Sequence, residues 1–163
     1  MADLRLTPYS DDDLPLLRRI NAPEMMTHLG GPEDEATLLR RHARYRDGEN
    51  GARVFRIDLD GVDGGVGSIA YWPSEHDGQP MHEMGWSVLP EFQGRNIASR
   101  AVALALAHSR AHGAGDVYAF PKVEHEASNA VCSKAGFTLL GTEPFEYPKG
   151  NPIISNVWVH RAS

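Results

Sequence analysis

Between Trp86 and Ser99 an apolar strand runs through a short polar turn into a long helix, and that junction is suited to holding an anion. Trp86, Ser87 and Val88 close the strand, and Gln93, Gly94, Arg95 and Asn96 make the turn. Ile97, Ala98 and Ser99 then open a helix in which Ala101, Val102, Ala105 and Leu106 recur at helical spacing up to a stop at Gly113 and Gly115. The first amides of a helix have no partner within it, so they donate to a phosphate placed there, and the helix dipole adds to the attraction. A turn of this composition also joins strand to helix in α/β proteins where it binds nothing.

A second segment lies downstream. Val117, Tyr118, Ala119 and Phe120 read as a strand, Ala127, Ala130, Val131 and Ala135 give the next helix an apolar stripe, and Gly136 ends it. Together the two segments resemble the signatures of the GNAT acetyltransferase superfamily. The first signature is Gln or Arg, two residues, Gly, one residue, then Gly or Ala, and its positions here are Gln93, Asn96 and Ala98. The second is matched by Ser128, Lys134, Gly136 and Phe137 in register. Three positions depart from the pattern: Asn96 replaces the central glycine, His125 stands where asparagine is usual, and Cys132 stands where many members carry tyrosine. Asparagine tolerates the left-handed backbone that glycine adopts but not its close approach to a ligand.

The resemblance implies an α/β (α+β) chain forming one GNAT domain over residues 1–163, with a mixed, mostly antiparallel sheet of six to seven strands flanked by about four helices. It implies acetyl-CoA as cosubstrate, no metal, and transfer of acetyl to a primary amine, on a small molecule or a protein amino terminus, by direct attack in a ternary complex. The run Glu83-Met84-Gly85-Trp86 is similar to the branch that acetylates amino termini of ribosomal proteins. A protonated amine cannot attack a thioester, so a base is needed, and the resemblance puts Glu83 there. Pairing of Glu83 with a basic neighbour is the alternative. The amides of Trp86, Ser87 and Val88 would polarise the acyl carbonyl, and residues 93–99 would hold the coenzyme's phosphates. His125, Ser128 and Asn129 would contact the pantetheine arm, with Asn129 compensating for the missing asparagine. Cys132 is either the proton donor to the departing thiolate or a small buried side chain. A catalytically silent acyl-CoA-binding module, acting as sensor or scaffold, is the competing function.

The elements that must position these residues follow from periodicity. Residues 4–9 alternate as a strand, Asp11, Asp12 and Asp13 cap a helix through Ile20, and residues 32–46 form a second helix with Ala36, Leu39 and Ala43 on its inner stripe. Strands follow at 54–59 and 66–72, a polar loop at 73–80, and a strand at 81–88 that enters the phosphate turn. Residues 137–145 and 153–160 finish as strands. The acceptor side would be built from residues 21–31, 73–80 and 145–154, bringing Met26, His28, Glu75, Glu146 and Tyr147 together, a lining suited to a primary amine with an apolar portion.

Composition narrows the partners. A net charge of −6 disfavours nucleic acid, whose binding rests on Lys and Arg. No run approaches the roughly 20 apolar residues of a membrane span, and the amino terminus does not read as a signal peptide. The single cysteine excludes an internal disulfide and, with these features, predicts a cytoplasmic chain. His108 and His112 share one helix face, but no third metal ligand has suitable spacing. A homodimer through the last strand, the one bearing Trp158, would follow if that strand lies at an edge.

Overall fold

A computed structural model describes residues 2–162. Its elements follow the expected order: β1 (Leu4–Pro8), α1 (Leu14–Ile20), α2 (Glu35–Asp47), β2 (Arg53–Leu59), β3 (Gly67–His76), β4 (Gln79–Val88), α3 (Ile97–Ala111), β5 (Val117–Ala119), α4 (Glu126–Lys134), β6 (Thr138–Glu146) and β7 (Pro152–His160). The strands form one seven-stranded sheet in the order β1-β2-β3-β4-β5-β7-β6, antiparallel except where β4 meets β5.

Local chemistry accounts for the boundaries. Before α1, Ser10 makes a capping box: its hydroxyl accepts from the Asp12 amide, and the Asp13 carboxylate accepts from the Ser10 amide at 2.9 Å. Asp13 is buried and its charge is met by Arg56, which also binds Asp58, so α1 is locked to β2 by a shared guanidinium. The second helix starts at Glu35 rather than near Pro32, because the Asp34 carboxylate accepts from the Thr37 amide at 2.8 Å and acts as its cap. Its inner face also differs from the predicted stripe. Leu38 and His42 are buried while Leu39 is 43% exposed. The reason is polar: His42 is held inside by the Tyr9 hydroxyl at 2.6 Å and by Asp11 at 3.0 Å, which turns the helix about its axis.

One predicted loop is a hairpin. β3 and β4 continue through residues 73–80 and join at Asp77-Gly78, both with positive φ (50° and 77°), the backbone that a two-residue hairpin requires. A second correction concerns the last strand. β7 lies between β5 and β6, so the Trp158 strand is interior, and the sheet's edges are β1 and β6.

The core fills the space between the sheet and α3. Phe55, Ile57, Ile69, Tyr71, Met84 and Val88 from the strands meet Ile97, Ala101, Val102 and Ala105 from the helix. A smaller cluster joins Leu16 and Ile20 of α1 to Leu89 at the end of β4, anchoring that strand's exit. Gly67 is required where β3 begins, since a β-carbon there would overlap the Ser87 carbonyl oxygen. Replacing Gly67 with alanine must therefore push β3 from β4; we expect Gly67→Ala to cost about 3 kcal/mol in urea unfolding, as overpacking does.

Candidate active site

β4 is held firmly on one side only. It pairs with β3 over its whole length without a register shift, from Gly67 opposite Val88 to His76 opposite Gln79. On the other side it meets β5 at just two positions, His82 opposite Val117 and Glu83 opposite Tyr118. Successive amides along a strand point to alternate sides. The His82 amide donates to Asp116 on the β5 side and the Leu89 amide to Val66 on the β3 side, so the amides of Trp86 and Val88 face the gap that opens after Glu83. The Ser87 amide faces β3, opposite Ser68, which removes it from the expected set of free donors.

Glu83 sits where the two strands part. With no bulge in β4, alternation puts Glu83 on the face away from α3, between Trp72 of β3 and Tyr118 of β5. The Trp72 ring lies over neighbouring Gly85, where a β-carbon would come within 3.3 Å of it. Burial alone pushes the Glu83 carboxyl up to about 7, with no charge or hydrogen bond offsetting it. The alternative of a basic partner therefore fails: among the described residues Glu83 joins no ion pair.

The turn between β4 and α3 is left-handed at two positions. Gly94 takes φ of 77°, with open space around it, and Asn96 takes the left-handed conformation (φ 65°, ψ 15°) that glycine would adopt. Asn96 makes no side-chain cap, and the first turn of α3 carries no acidic residue, so the amides at its start are free for an anion. The Ile97 side chain is buried; it can offer only its amide. The Gln93 side chain donates to the Val88 carbonyl at 2.9 Å, which closes the turn against the end of β4. Arg95 lies exposed, its guanidinium 5.6 Å from the Phe92 ring centre. An uncapped helix start beside a cation, continuous with two free strand amides, fits a pyrophosphate attached to an extended amide-bearing arm.

The start of α4 departs most from expectation. Asn129 is fully engaged within the protein. Its amide nitrogen donates to the carbonyls of Lys122 (3.1 Å) and His125 (2.9 Å), and its oxygen accepts from Asn156 and Trp158, both at 2.8 Å. It ties α4 to β7 and has nothing left for a ligand. His125 precedes the first turn of α4, its ring stacked on His28 at 4.3 Å and its Nε2 3.4 Å from the Ser128 hydroxyl. Burial, with His28 beside it, holds His125 below the usual histidine range, so the ring is neutral at pH 7. Spacing along the chain gives no sign of the His28 contact, which arises because residues 21–34 fold back against α4.

Cys132 lies inside the protein, as a small buried side chain. It is 0% exposed within the main core, and burial pushes its thiol up to about 12. A donor that weak gives its proton to a thiolate of ordinary basicity only uphill. His108 and His112 stack at 4.0 Å, but His108 Nδ1 is bound to the Tyr71 hydroxyl at 2.7 Å and His112 Nδ1 to a helix carbonyl. Among the described residues no group of three or more His, Cys, Asp or Glu is placed to hold a metal ion, and no helix is long and apolar enough to cross a membrane.

A family profile described as an acetyltransferase (GNAT) domain matches residues 3–138. The chain belongs to the GNAT acetyltransferase family. Among solved structures, the chain is similar to a GNAT-family acetyltransferase from Bacillus anthracis at 19% identity and TM-score 0.80, over 99% of this chain and 96% of that one. It is also similar to the Salmonella typhimurium acetyltransferase that modifies the N-terminal serine of ribosomal protein L7/L12 (19% identity, TM-score 0.78, 98% and 95% covered). A third, from Salmonella typhimurium and solved with its cofactor acetyl-CoA, shares 18% identity and TM-score 0.77 over 99% and 94%. No curated protein matches the sequence. At these identities the structures share the GNAT fold, and the family profile supplies the membership.

Because Asn129 is spent on the fold, Asn129→Ala should lower stability by about 2 kcal/mol or more in urea unfolding, through the donors and carbonyls it leaves unpaired.

Proposed function

We propose that the chain moves the acetyl group of acetyl-CoA to the nitrogen of a primary amine, by direct attack within a ternary complex. The observation that carries this reading is Glu83: an enclosed carboxyl without a partner, at the point where β4 leaves β5. Acetyl-CoA supplies the activated acyl carbon on a thioester. The amides at the start of α3 and the Gly94 turn hold its phosphates, and the amides of Trp86 and Val88 meet the arm and the acyl oxygen, where negative charge grows during attack. His125 and Ser128, at the start of the helix that follows β5, offer a neutral imidazole and a hydroxyl to the arm's amides. Glu83 takes the ammonium proton, directly or through one water, which frees the nitrogen lone pair. Its position about 16 Å along β4 from Val88, by the rise of a strand, leaves the length of the arm between phosphates and base. The departing thiolate takes its proton from solvent, since Cys132 is closed off. The acceptor is a small-molecule amine or a peptide amino terminus, the latter being what the Salmonella relative modifies.

Thiol release from acetyl-CoA, measured against a panel of amines, tests this reading, and acetyl-CoA binding without amine-dependent release would leave a binding module instead. We expect the rate to rise with pH through about 7, as the Glu83 carboxyl ionises. Glu83→Gln should cut turnover by about a hundredfold or more and leave acetyl-CoA affinity unchanged. A carboxyl raised in the folded state loses stability as pH rises above its unfolded value, so Glu83→Gln should also be more stable than the parent at pH 8, by up to about 3 kcal/mol. Cys132→Ala, in contrast, should keep transfer and cost about 1–2 kcal/mol of folding.

A further inference from the structure

Beside Glu83 lies a row of aromatic rings that the acetyl-transfer reading does not use. Tyr118 is the direct β5 partner of Glu83. Its ring stacks near parallel on Phe120 at 5.9 Å, and Phe120 stacks on Phe145 of β6 at 5.3 Å, with interplanar angles of 12° and 9°. His76, at the end of β3, leans on both Tyr118 (5.0 Å) and Phe120 (5.6 Å). Its Nε2 is held by both oxygens of Glu143 at 3.1 Å, which fixes the ring's plane. All four rings keep part of their surface exposed, and they share the sheet face of Glu83, opposite α3.

Rings left partly wet in a contiguous row beside Glu83 offer a binding surface, because covering what remains exposed of them is favourable. We propose that the acceptor carries an aromatic ring close to its primary amine, the ring seated on the row formed by Tyr118, Phe120 and Phe145 while the nitrogen reaches Glu83. The inference rests on the transferase reading for the role of Glu83 and names the substrate class for that site. The row begins at Tyr118, the strand neighbour of Glu83, so a ring resting on Tyr118 and Phe120 places an amine a few bonds away at the carboxylate. Glu143, bound to His76 beside the row, adds a second carboxylate there, which favours a cationic ligand, and the tilted His76 closes the row on the β3 side. Either an arylalkylamine or a peptide beginning with an aromatic residue presents this chemistry.

The test measures binding of 2-phenylethylamine and of n-hexylamine to the full chain by calorimetry, without cosubstrate. In parallel, thiol release from acetyl-CoA is assayed with these amines and with peptides beginning in Phe or Ser. We expect the aromatic amine to bind about tenfold tighter than the alkyl one, the range that ring stacking gives, and Phe120→Leu to erase that ratio. The Phe-initial peptide outrunning the Ser-initial one identifies a peptide source; a preference confined to the free amine identifies a small molecule. Equal binding of the two amines, or Phe120→Leu lowering thermal stability with the ratio unchanged, overturns the proposal. Absence of amine-dependent thiol release overturns the transferase reading instead, and the two are separable because amine binding is read without acetyl-CoA.

Discussion

The site depends on two strand amides, those of Trp86 and Val88, that no neighbouring strand takes up. An amide shut away from water without a partner costs about 1–3 kcal/mol, so a strand that parts from its neighbour inside a sheet needs support from elsewhere. Here the support is one-sided. β4 is paired with β3 from end to end, pinned by the close approach of Gly67 to Ser87, and its exit is fixed by Leu89 against α1. With the β3 side rigid, the β5 side can open after Glu83 without the sheet losing register. An open strand edge of this kind is completed by an extended chain carrying its own amides, as when a peptide adds to a sheet. The same opening leads straight to the start of α3, so strand amides and helix amides form one continuous track.

The parting also decides the state of Glu83. Strand pairing packs Trp72 and Tyr118 against its flanks, which removes water, while the end of pairing leaves no main-chain donor aimed at the carboxylate. Desolvation without compensation raises a carboxyl's affinity for its proton, and it does so at the expense of the folded state at neutral pH. Other acids drawn into the protein are met: buried Asp13 and Asp58 share Arg56, and Glu33 is gripped by Nε and Nη2 of Arg41 at 2.6 and 2.7 Å. The contrast between those satisfied acids and Glu83 is what sets the site apart from the structural ion pairs around it.

Much of this was legible in the sequence, and all but one of the failures share a cause. Element order, the anion turn and Glu83 on β4 follow from periodicity and from local turn chemistry, which are properties of neighbouring residues. The Asp77-Gly78 turn was also local and was obscured by the two prolines and polar residues around it, which read as loop although Pro73 and Pro80 both sit in the β3–β4 ladder. The remaining differences are tertiary. Leu39 gave way to His42 on the inner face of α2 because Tyr9 and Asp11, more than 30 residues away, supply its hydrogen bonds. Asn129 reads as a free polar side chain until β7 delivers Asn156 and Trp158 to it. The burial of Cys132 likewise depends on how α4 lies on the core rather than on its own stripe.

The three departures from the family signatures differ in consequence for the same physical reason. Asn96 stands at a position whose task belongs to the main chain, namely to turn left-handed and leave the next amides uncapped, and it does both with φ of 65° and no side-chain cap. Recognition by backbone amides is indifferent to side-chain identity as long as the conformation is reached, so this change leaves the track intact. His125 and Cys132 stand where side chains would act. At Cys132 the thiol lies in the core, where burial pushes it up to about 12. At His125 the imidazole gains a stacking partner in His28, which joins the α1–α2 connection to the start of α4. A substitution at a main-chain position thus preserves the geometry, whereas one at a side-chain position moves the task to a new contact or gives it up to solvent.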